Sequence, residues 1–455
     1  MAADAKNAQF DPARFERFRF VGRELDAKGR VTLRYALDDE VFFTEEFDLP
    51  IEGELDEAQR EGVAGLLSLL HWVAGVSYFK TAVPSVIECE TGDPSPAVSA
   101  LLEALYSEGL GEFAYTNGLD ALPRPSFPVG PDSLHERASL RLSPTRVLVP
   151  IGGGKDSAVA LEIVRRSGFE LVLFSVGDAA PILRTVAAAE LAHLLVRRRL
   201  DPGLASLNSA GALNGHIPIT AIVSCVALLT AALNGFDAVA MANERSASSG
   251  NVSWDGVEVN HQFSKSLRAE RLLSAAVAEV APELSIFSVL RPASELAIAR
   301  AFAGMERYHG AFTSCNAIFR IDPALRASSW CCDCPKCRFV FLALAPFSSP
   351  GHLREVFGRD LLQDESQLEG FALLTATGGH KPFECVGEEM ESLAAIRLLA
   401  DDPLWAGHVV VQGLVREVLA QVDPLAGDPD EVFALSDDHE VPETLMADVR
   451  AILGA

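Results

Sequence analysis

Near the start of the chain, three runs of apolar and β-branched residues, Phe18–Leu25, Val31–Leu37 and Val41–Phe47, are interrupted by polar turn signals at Asp26-Ala27-Lys28-Gly29 and Asp38-Asp39. The pattern predicts an antiparallel meander. Apolar positions then fall at helical spacing over Asp56–Val76 and Pro96–Glu108, and the aromatic and basic stretch Tyr78-Phe79-Lys80-Thr81-Ala82-Val83-Pro84 between them reads as a loop. Pro123, Pro125, Pro128 and Pro131 make a linker-like segment and place a domain boundary near 130–140.

From residue 146 the pattern changes to short, nearly all-apolar strands alternating with helices. Val147–Ile151, Leu171–Val176, Ala238–Ala242 and Ile286–Leu290 read as strands. Ser157–Ser167, Pro181–Arg198, Ile219–Leu233 and Ser294–Ala303 read as helices, the first capped by Gly168 in the left-handed conformation. The end of the second, Arg197-Arg198-Arg199, suits a negative helix C-terminus. Such alternation predicts an α/β fold with a parallel sheet covered on both faces, whose ligands bind beyond the strand C-termini. Further on, a loop dense in functional groups, Gly378–Gly387, leads into a helix at Glu388–Leu399, and the acidic, proline-dotted segment Asp423–Glu443 reads as solvated surface. The chain divides on this reading into an α+β domain at 1–135, an α/β domain at 140–347 and a C-terminal extension at 348–455 that contributes a loop to the site.

Composition narrows the function. A chain of 455 residues, 49% hydrophobic, is long enough for two or three well-buried domains. Its 38 Lys and Arg against 63 Asp and Glu give a net charge of −25, which disfavours nucleic acid as a partner. The N-terminus, MAADAKNAQFDPARF, has no apolar signal region, and the longest apolar run, Ile219–Leu233, falls short of the roughly 20 residues that span a bilayer. Eight cysteines, four of them crowded between 331 and 337, do not resemble a secreted disulfide framework. The expectation is a cytoplasmic protein with no membrane partner.

The candidate chemistry centres on Val147-Leu148-Val149-Pro150-Ile151-Gly152-Gly153-Gly154-Lys155-Asp156-Ser157. Three adjacent glycines let the backbone approach a ligand and turn successive N–H groups into one concavity at a helix N-terminus, a place that favours phosphate. A Walker A loop is excluded by Val149 and Asp156, and a dinucleotide fingerprint by Ser157. G-G-G-K-D-S resembles instead the S-G-G-x-D-S loop of the PP-loop ATP pyrophosphatase superfamily, with Gly152 at the usual first serine. After the strand Ala238–Ala242, Asn243, Glu244 and Arg245 deliver polar and opposite charges to the same sheet edge, where they can orient a nucleotide, Mg²⁺ or an anionic substrate; the plainer reading is a polar loop with capping serines. Asn260-His261-Gln262-Phe263-Ser264-Lys265-Ser266 is a second loop dense in donors. Cys331-x-x-Cys334-x-x-Cys337, with Cys315 as a fourth ligand, has the step of a structural zinc site, although buried free cysteines give the same pattern. It resembles the zinc cluster of superfamily members that build 7-deazaguanine, and departs from it in carrying Cys332.

With the glycine loop, Met241–Ala247, the block Trp330–Phe339 and His380-Lys381-Pro382-Phe383-Glu384-Cys385-Val386-Gly387 taken together, the chain resembles the ATP-dependent UDP-N-acetylmuramoyl-L-alanyl-L-glutamate epimerase family (MurL). The resemblance runs nearly end to end. It implies a PP-loop core of the adenine nucleotide alpha hydrolase type and a step in peptidoglycan precursor synthesis: the terminal L-glutamate of the UDP-MurNAc-dipeptide becomes D-glutamate as ATP is split to AMP and pyrophosphate. Gly152, Gly153, Gly154 and Ser157 would cradle pyrophosphate beside Lys155, Asp156 would hold Mg²⁺, and Asn243, Glu244 and Arg245 would contact nucleotide or substrate. The acid and base come from among His380, Cys385, Lys381, Glu384 and His261 by chemistry and loop placement. The alternatives are a carboxylate-adenylating ligase or amidotransferase, a tRNA thiolase or lysidine synthetase, and a non-enzymatic nucleotide-binding module.

Overall fold

The computed structural model describes residues 10–130, 140, 142–254, 256–319, 326–376, 383, 384 and 386–454. Its strands are β1 (Arg17–Leu25), β2 (Arg30–Leu37), β3 (Val41–Asp48), β4 (Val86–Cys89), β5 (Ser143–Pro150), β6 (Glu170–Val176), β7 (His193–Arg199), β8 (Phe236–Met241), β9 (Val252–Trp254), β10 (Val257–Val259) and β11 (Ser285–Ser288). Nine form one mixed sheet in the order β11-β8-β5-β6-β7-β3-β2-β1-β4; β9 and β10 pair separately. The protein is α/β, with compact units assembled from non-consecutive stretches where the sequence reading drew consecutive ones.

The first unit comprises Met1–Leu148, Leu194–Val239 and Trp254–Ile286. The meander forms as its pattern predicts: β1 and β3 each pair antiparallel with β2, setting Phe20 opposite Tyr35 and Leu33 opposite Glu45. Phe18, Phe20, Leu33, Tyr35, Phe43 and Phe47 are buried along it. The helix expected over Asp56–Val76 is three, Glu57–Gly62, Ala64–Ala74 and Val76–Phe79. Gly75, between the last two, keeps helical angles (φ −55°, ψ −24°) and leaves no room for a side chain, since a Cβ would lie 2.5 Å from the Phe20 ring and 2.8 Å from the Tyr106 hydroxyl. Tyr78, expected in a loop, is helical and packs against Tyr35 and Phe43, with ring centroids 5.1 and 4.8 Å away.

A larger correction concerns Arg197–Arg199. The helix that begins near Pro181 ends at Ala189, because Glu190 takes a left-handed conformation (φ 57°). The three arginines follow in β7, antiparallel to β3, opposite Asp48, Phe47 and Glu46. Arg199 bonds Asp48 and Glu46 at 2.6 and 3.0 Å. Arg198 reaches the fully buried Glu45 at 2.5 Å. Carboxylates on β3, not a helix dipole, receive this charge. Ile219–Leu233 is a helix with the bounds its pattern predicts, buried over most of its surface. No helix among the described residues is long and apolar enough to cross a membrane.

The second unit comprises Val149–His193, Ala240–Ser253 and Phe287–Ala455. It holds the C-terminal ends of β5, β8 and β11: the Ile151 N–H donates to the Phe174 carbonyl at 2.7 Å and the Val289 N–H to that of Met241 at 3.0 Å. The helix after the glycine turn runs Lys155–Arg166, two residues earlier than expected at its start, and Gly168 (φ 77°) follows in the left-handed conformation. Helix Glu295–Ala303 packs on it and on helix Pro335–Leu344, which in turn packs on Glu389–Asp401. The segment 423–443, expected to be solvated, is partly docked. Arg397 donates to the carbonyls of Asp423 and Ala426 at 3.0 Å each, and Val432 and Val441 are buried.

Candidate functional site

The three glycines of the turn have different surroundings. A Cβ at Gly152 would meet nothing within 4 Å, so this face opens outward. Gly153 has φ of +82°, and a Cβ there would lie 2.6 Å from the Pro181 carbonyl carbon. At Gly154 it would lie 2.8 Å from Ser314 Oγ. Thr313 anchors the turn by donating its N–H to the Gly153 carbonyl at 2.9 Å, and Ser157 Oγ donates to that of Gly154 at 3.0 Å. The turn thus delivers backbone to the N-terminus of a 12-residue helix, whose dipole favours an anion.

Lys155 does not point out of this turn. Its buried ammonium ion-pairs with Asp156 and with Glu295, the first residue of helix Glu295–Ala303. Burial alone would lower its pKa; the two carboxylates outweigh that and keep it charged. Glu295 is buried as well, and Lys336 lies 3.8 Å from its other oxygen. Burial pushes the Glu295 carboxyl up and Asp156 adds to the push, against Lys155 and Lys336; Glu244 raises it further. Asp156 and Glu295 thus share the Lys155 ammonium, with Lys336 beside Glu295 and the Glu244 charge near enough to add to the acidity around it.

Asn243 and Glu244 are both buried. Asn243 Nδ2 donates to Ser288 Oγ at 3.0 Å, and the Glu244 carbonyl accepts from the buried Arg291 at 2.5 Å. The Arg245 guanidinium donates to the carbonyls of Ala434 and Val432 at 2.8 and 3.1 Å. Ser246 hydrogen-bonds to Glu391, whose Oε1 also accepts the Glu295 N–H at 2.9 Å, and Ser249 bonds Glu388. Glu388 and Glu391 form the capping box of helix Glu389–Asp401. Sequence reasoning missed Glu295, Lys336, Glu388 and Glu391. The available signal was an acidic residue directly after Ser294, and the E-x-x-E spacing at a helix start.

The four cysteines singled out by their spacing converge. Their sulfurs all lie within 4.8 Å of one another, Cys331 to Cys337 at 3.7 Å and Cys334 to Cys337 at 3.5 Å. Tetrahedral zinc bound by thiolates at about 2.3 Å sets sulfurs about 3.8 Å apart, so the cluster fits that ion. N–H groups of Cys331 and Cys337 point at the sulfurs of Cys315 and Cys334, both at 3.4 Å. Cys332, in a left-handed conformation (φ 58°), turns away and bonds the Phe357 carbonyl.

Of the acid–base candidates, His380, Lys381 and Cys385 lie outside the described residues. Glu384 accepts the Lys336 N–H at 3.1 Å; burial raises its carboxyl, and the nearby Cys334 adds to this. His261 belongs to the first unit, where it hydrogen-bonds Glu112.

The second unit therefore defines a class: an α/β protein with an anion-favouring glycine turn, a buried network of acids and lysines beside it, and a four-thiol cluster. The chain belongs to the MurL family. The profile of the MurL N-terminal domain matches residues 9–289 and that of the MurL C-terminal domain residues 311–427. Three similar proteins bear the name UDP-N-acetyl-alpha-D-muramoyl-L-alanyl-L-glutamate epimerase. The one from Micromonospora sp. is 45% identical over 94% of this chain and 96% of its own. That from Salinispora tropica is 45% identical over 89% of each, and that from Xanthomonas oryzae pv. oryzae 42% over 97% and 98%.

Proposed function

We propose that this protein epimerises the terminal L-glutamate of UDP-MurNAc-L-Ala-L-Glu to D-glutamate, activating the substrate with ATP and releasing AMP and pyrophosphate. The observation that supports this reading best is the outward-facing glycine turn at a helix N-terminus, in a chain similar over nearly its full length to proteins named for that epimerisation. The turn acts in the manner of a PP-loop. Gly152 and the first N–H groups of helix Lys155–Arg166 receive pyrophosphate, and Lys155 acts from behind the turn by holding Asp156 and Glu295 in place. Asp156 is the residue that would hold Mg²⁺, which offsets charge on the phosphates when bound.

ATP use follows from the chemistry of the α-carbon. Removing a proton next to an ionised carboxylate places two negative charges on one enediolate. Converting the carboxylate to an acyl-adenylate removes the first charge and makes the proton more acidic; protonation from the opposite face inverts the centre, and water releases AMP. Two groups on opposite sides of the carbon are needed, and residues 380–385 remain their proposed source. Cys315, Cys331, Cys334 and Cys337 would hold a structural Zn²⁺, which would brace the fold there.

The test uses the full-length protein, UDP-MurNAc-L-Ala-L-Glu, ATP and Mg²⁺ in D₂O. Deuterium should enter the glutamyl α-carbon as pyrophosphate is released. Pyrophosphate release without label would replace the epimerase reading with a ligase-type adenylation.

A further inference from the structure

In the first unit, three segments far apart in sequence bring a carboxylate and two imidazoles to one point. Glu112 is on helix Gly111–Thr116, His216 precedes helix Ile219–Leu233, and His261 precedes the short turn Phe263–Lys265. Close backbone approach sets their convergence. A Cβ at Gly109 would come within 3.1 Å of Pro218, one at Gly111 within 3.2 Å of Val259, and one at Gly215 within 3.2 Å of Phe113. Asn117 Nδ2 ties the carbonyls of Phe113 and Asn214 together at 2.8 and 2.9 Å. On the third segment, Asn260 Oδ1 accepts the Gln262 N–H at 2.7 Å, and Lys265 Nζ donates to Gln262 Oε1 at 3.1 Å.

Glu112 Oε2 is hydrogen-bonded to His261 Nδ1 and stands 3.9 Å from His216 Nδ1. The imidazole centroids are 4.2 Å apart, and one ligand-type atom of each residue lies within 4.8 Å of the other two. Side-chain exposures of 15% for Glu112, 25% for His216 and 14% for His261 leave the cluster within reach of solvent ions. A divalent ion at this point takes a lone pair from each neutral imidazole and neutralises the carboxylate. Bonds of about 2.0–2.2 Å need adjacent ligand atoms roughly 3.3–3.6 Å apart, a side-chain adjustment from the spacing present.

We propose that Glu112, His216 and His261 form a three-ligand site for a borderline divalent metal ion such as Zn²⁺, with an open coordination position that accepts a small oxyanion. Two imidazoles and one carboxylate suit such an ion better than Mg²⁺, and three protein ligands leave a position that a closed four-thiol site lacks. Lys265, on the same loop as His261, adds a positive charge for the incoming anion.

Tag-free full-length protein, stripped with a chelator, is titrated with Co²⁺ as the spectroscopic probe. Beyond the equivalent taken up by the four-thiol cluster, one equivalent should bind without adding thiolate-to-metal charge-transfer intensity. It should survive in Cys334→Ser/Cys337→Ser and vanish in His216→Ala/His261→Ala. The near-isosteric Glu112→Gln should weaken it by about tenfold or more with unchanged circular dichroism. Inorganic phosphate should shift its d–d bands; no shift would remove the open position. Equal Co²⁺ uptake by the wild type and a folded double-histidine variant would overturn the site. Should that variant unfold, unchanged affinity in Glu112→Gln overturns it equally.

Discussion

A Cβ at Gly152 would enter open space, whereas one at Gly153 would strike the backbone of Pro181 and Ile182 from a left-handed φ of +82°. The same substitution therefore separates folding from binding. Gly153→Ala should lower unfolding free energy by about 1–3 kcal/mol, the range for non-glycine strain at such a position, before any loss of activity is counted. Gly152→Ala should leave stability within about 0.5 kcal/mol and still weaken ATP binding about tenfold, as expected if a charge-assisted hydrogen bond to a phosphate is lost. Urea unfolding and nucleotide titration read the two effects separately, and unchanged ATP affinity in Gly152→Ala would remove the turn from the binding site. A second residue-scale consequence concerns Glu391. Burial lifts its carboxyl to about 7 from an ordinary 4.5, against the Ser246 hydrogen bond that favours the ionised form. A group whose folded pKa lies above its unfolded one contributes stability in full below the unfolded value and loses it as pH rises through the folded value. The stability of the wild type relative to Glu391→Gln should thus fall between pH 4.5 and pH 7 by an amount on the order of 3 kcal/mol and then level off. Urea melts of both proteins at pH 5, 6, 7 and 8 provide the check; a flat difference would mean that the Ser246, Glu295 and Glu388 donors already hold Glu391 ionised.

Pairing of β7 with β3 places Arg198 against a carboxylate that is fully buried. Removing one member of such a pair leaves the other charge uncompensated, whereas replacing both with apolar groups does not. Arg198→Met should destabilise by about 3–5 kcal/mol, and Glu45→Leu added to it should recover most of that loss, both measured by urea unfolding. This pairing also explains why β7 was read as the end of a helix. Three consecutive arginines look like a solvated helix terminus, and their partners Glu45, Glu46 and Asp48 lie about 150 positions earlier. Where an element's reason is local, it was legible: the meander from its turn residues, helix Ile219–Leu233 from its apolar run, and the glycine turn from residues that no ordinary strand–helix connection requires. The cysteine cluster was legible for the same reason, through its C-x-x-C steps. The acids behind the glycine turn were not. Glu295 and Glu391 read as ordinary helix-start residues until packing buries Lys155 against one and the Ser246 hydroxyl against the other. The need for a glycine at position 75 was equally invisible, because the obstacle to a side chain is the ring of Phe20, on another element.

The molecule as a whole carries a net charge of −25 with a sequence pI near 4.8, and this sets how salt should act on it. Two effects oppose each other. Salt weakens exposed ion pairs such as Arg30–Asp48, Arg268–Glu108 and Arg416–Glu417, but each contributes only about 0–1 kcal/mol. Salt also screens the mutual repulsion of the excess carboxylates, a term summed over the whole surface that grows with the square of the net charge. Over distances beyond about 10 Å this repulsion is largely removed at 0.1 M monovalent salt, while the buried pairs of Lys155 and Arg198 are screened far less. Repulsion should therefore dominate. The thermal midpoint should rise by about 1 °C as NaCl increases from low millimolar to a few tenths molar, then change little, an increment corresponding to roughly 1 kcal/mol for a chain of this size. Differential scanning calorimetry across that series, with the chelator and divalent-ion content held constant, is the measurement. A midpoint that falls over the same range would show that the surface ion pairs outweigh the repulsion of the excess carboxylates.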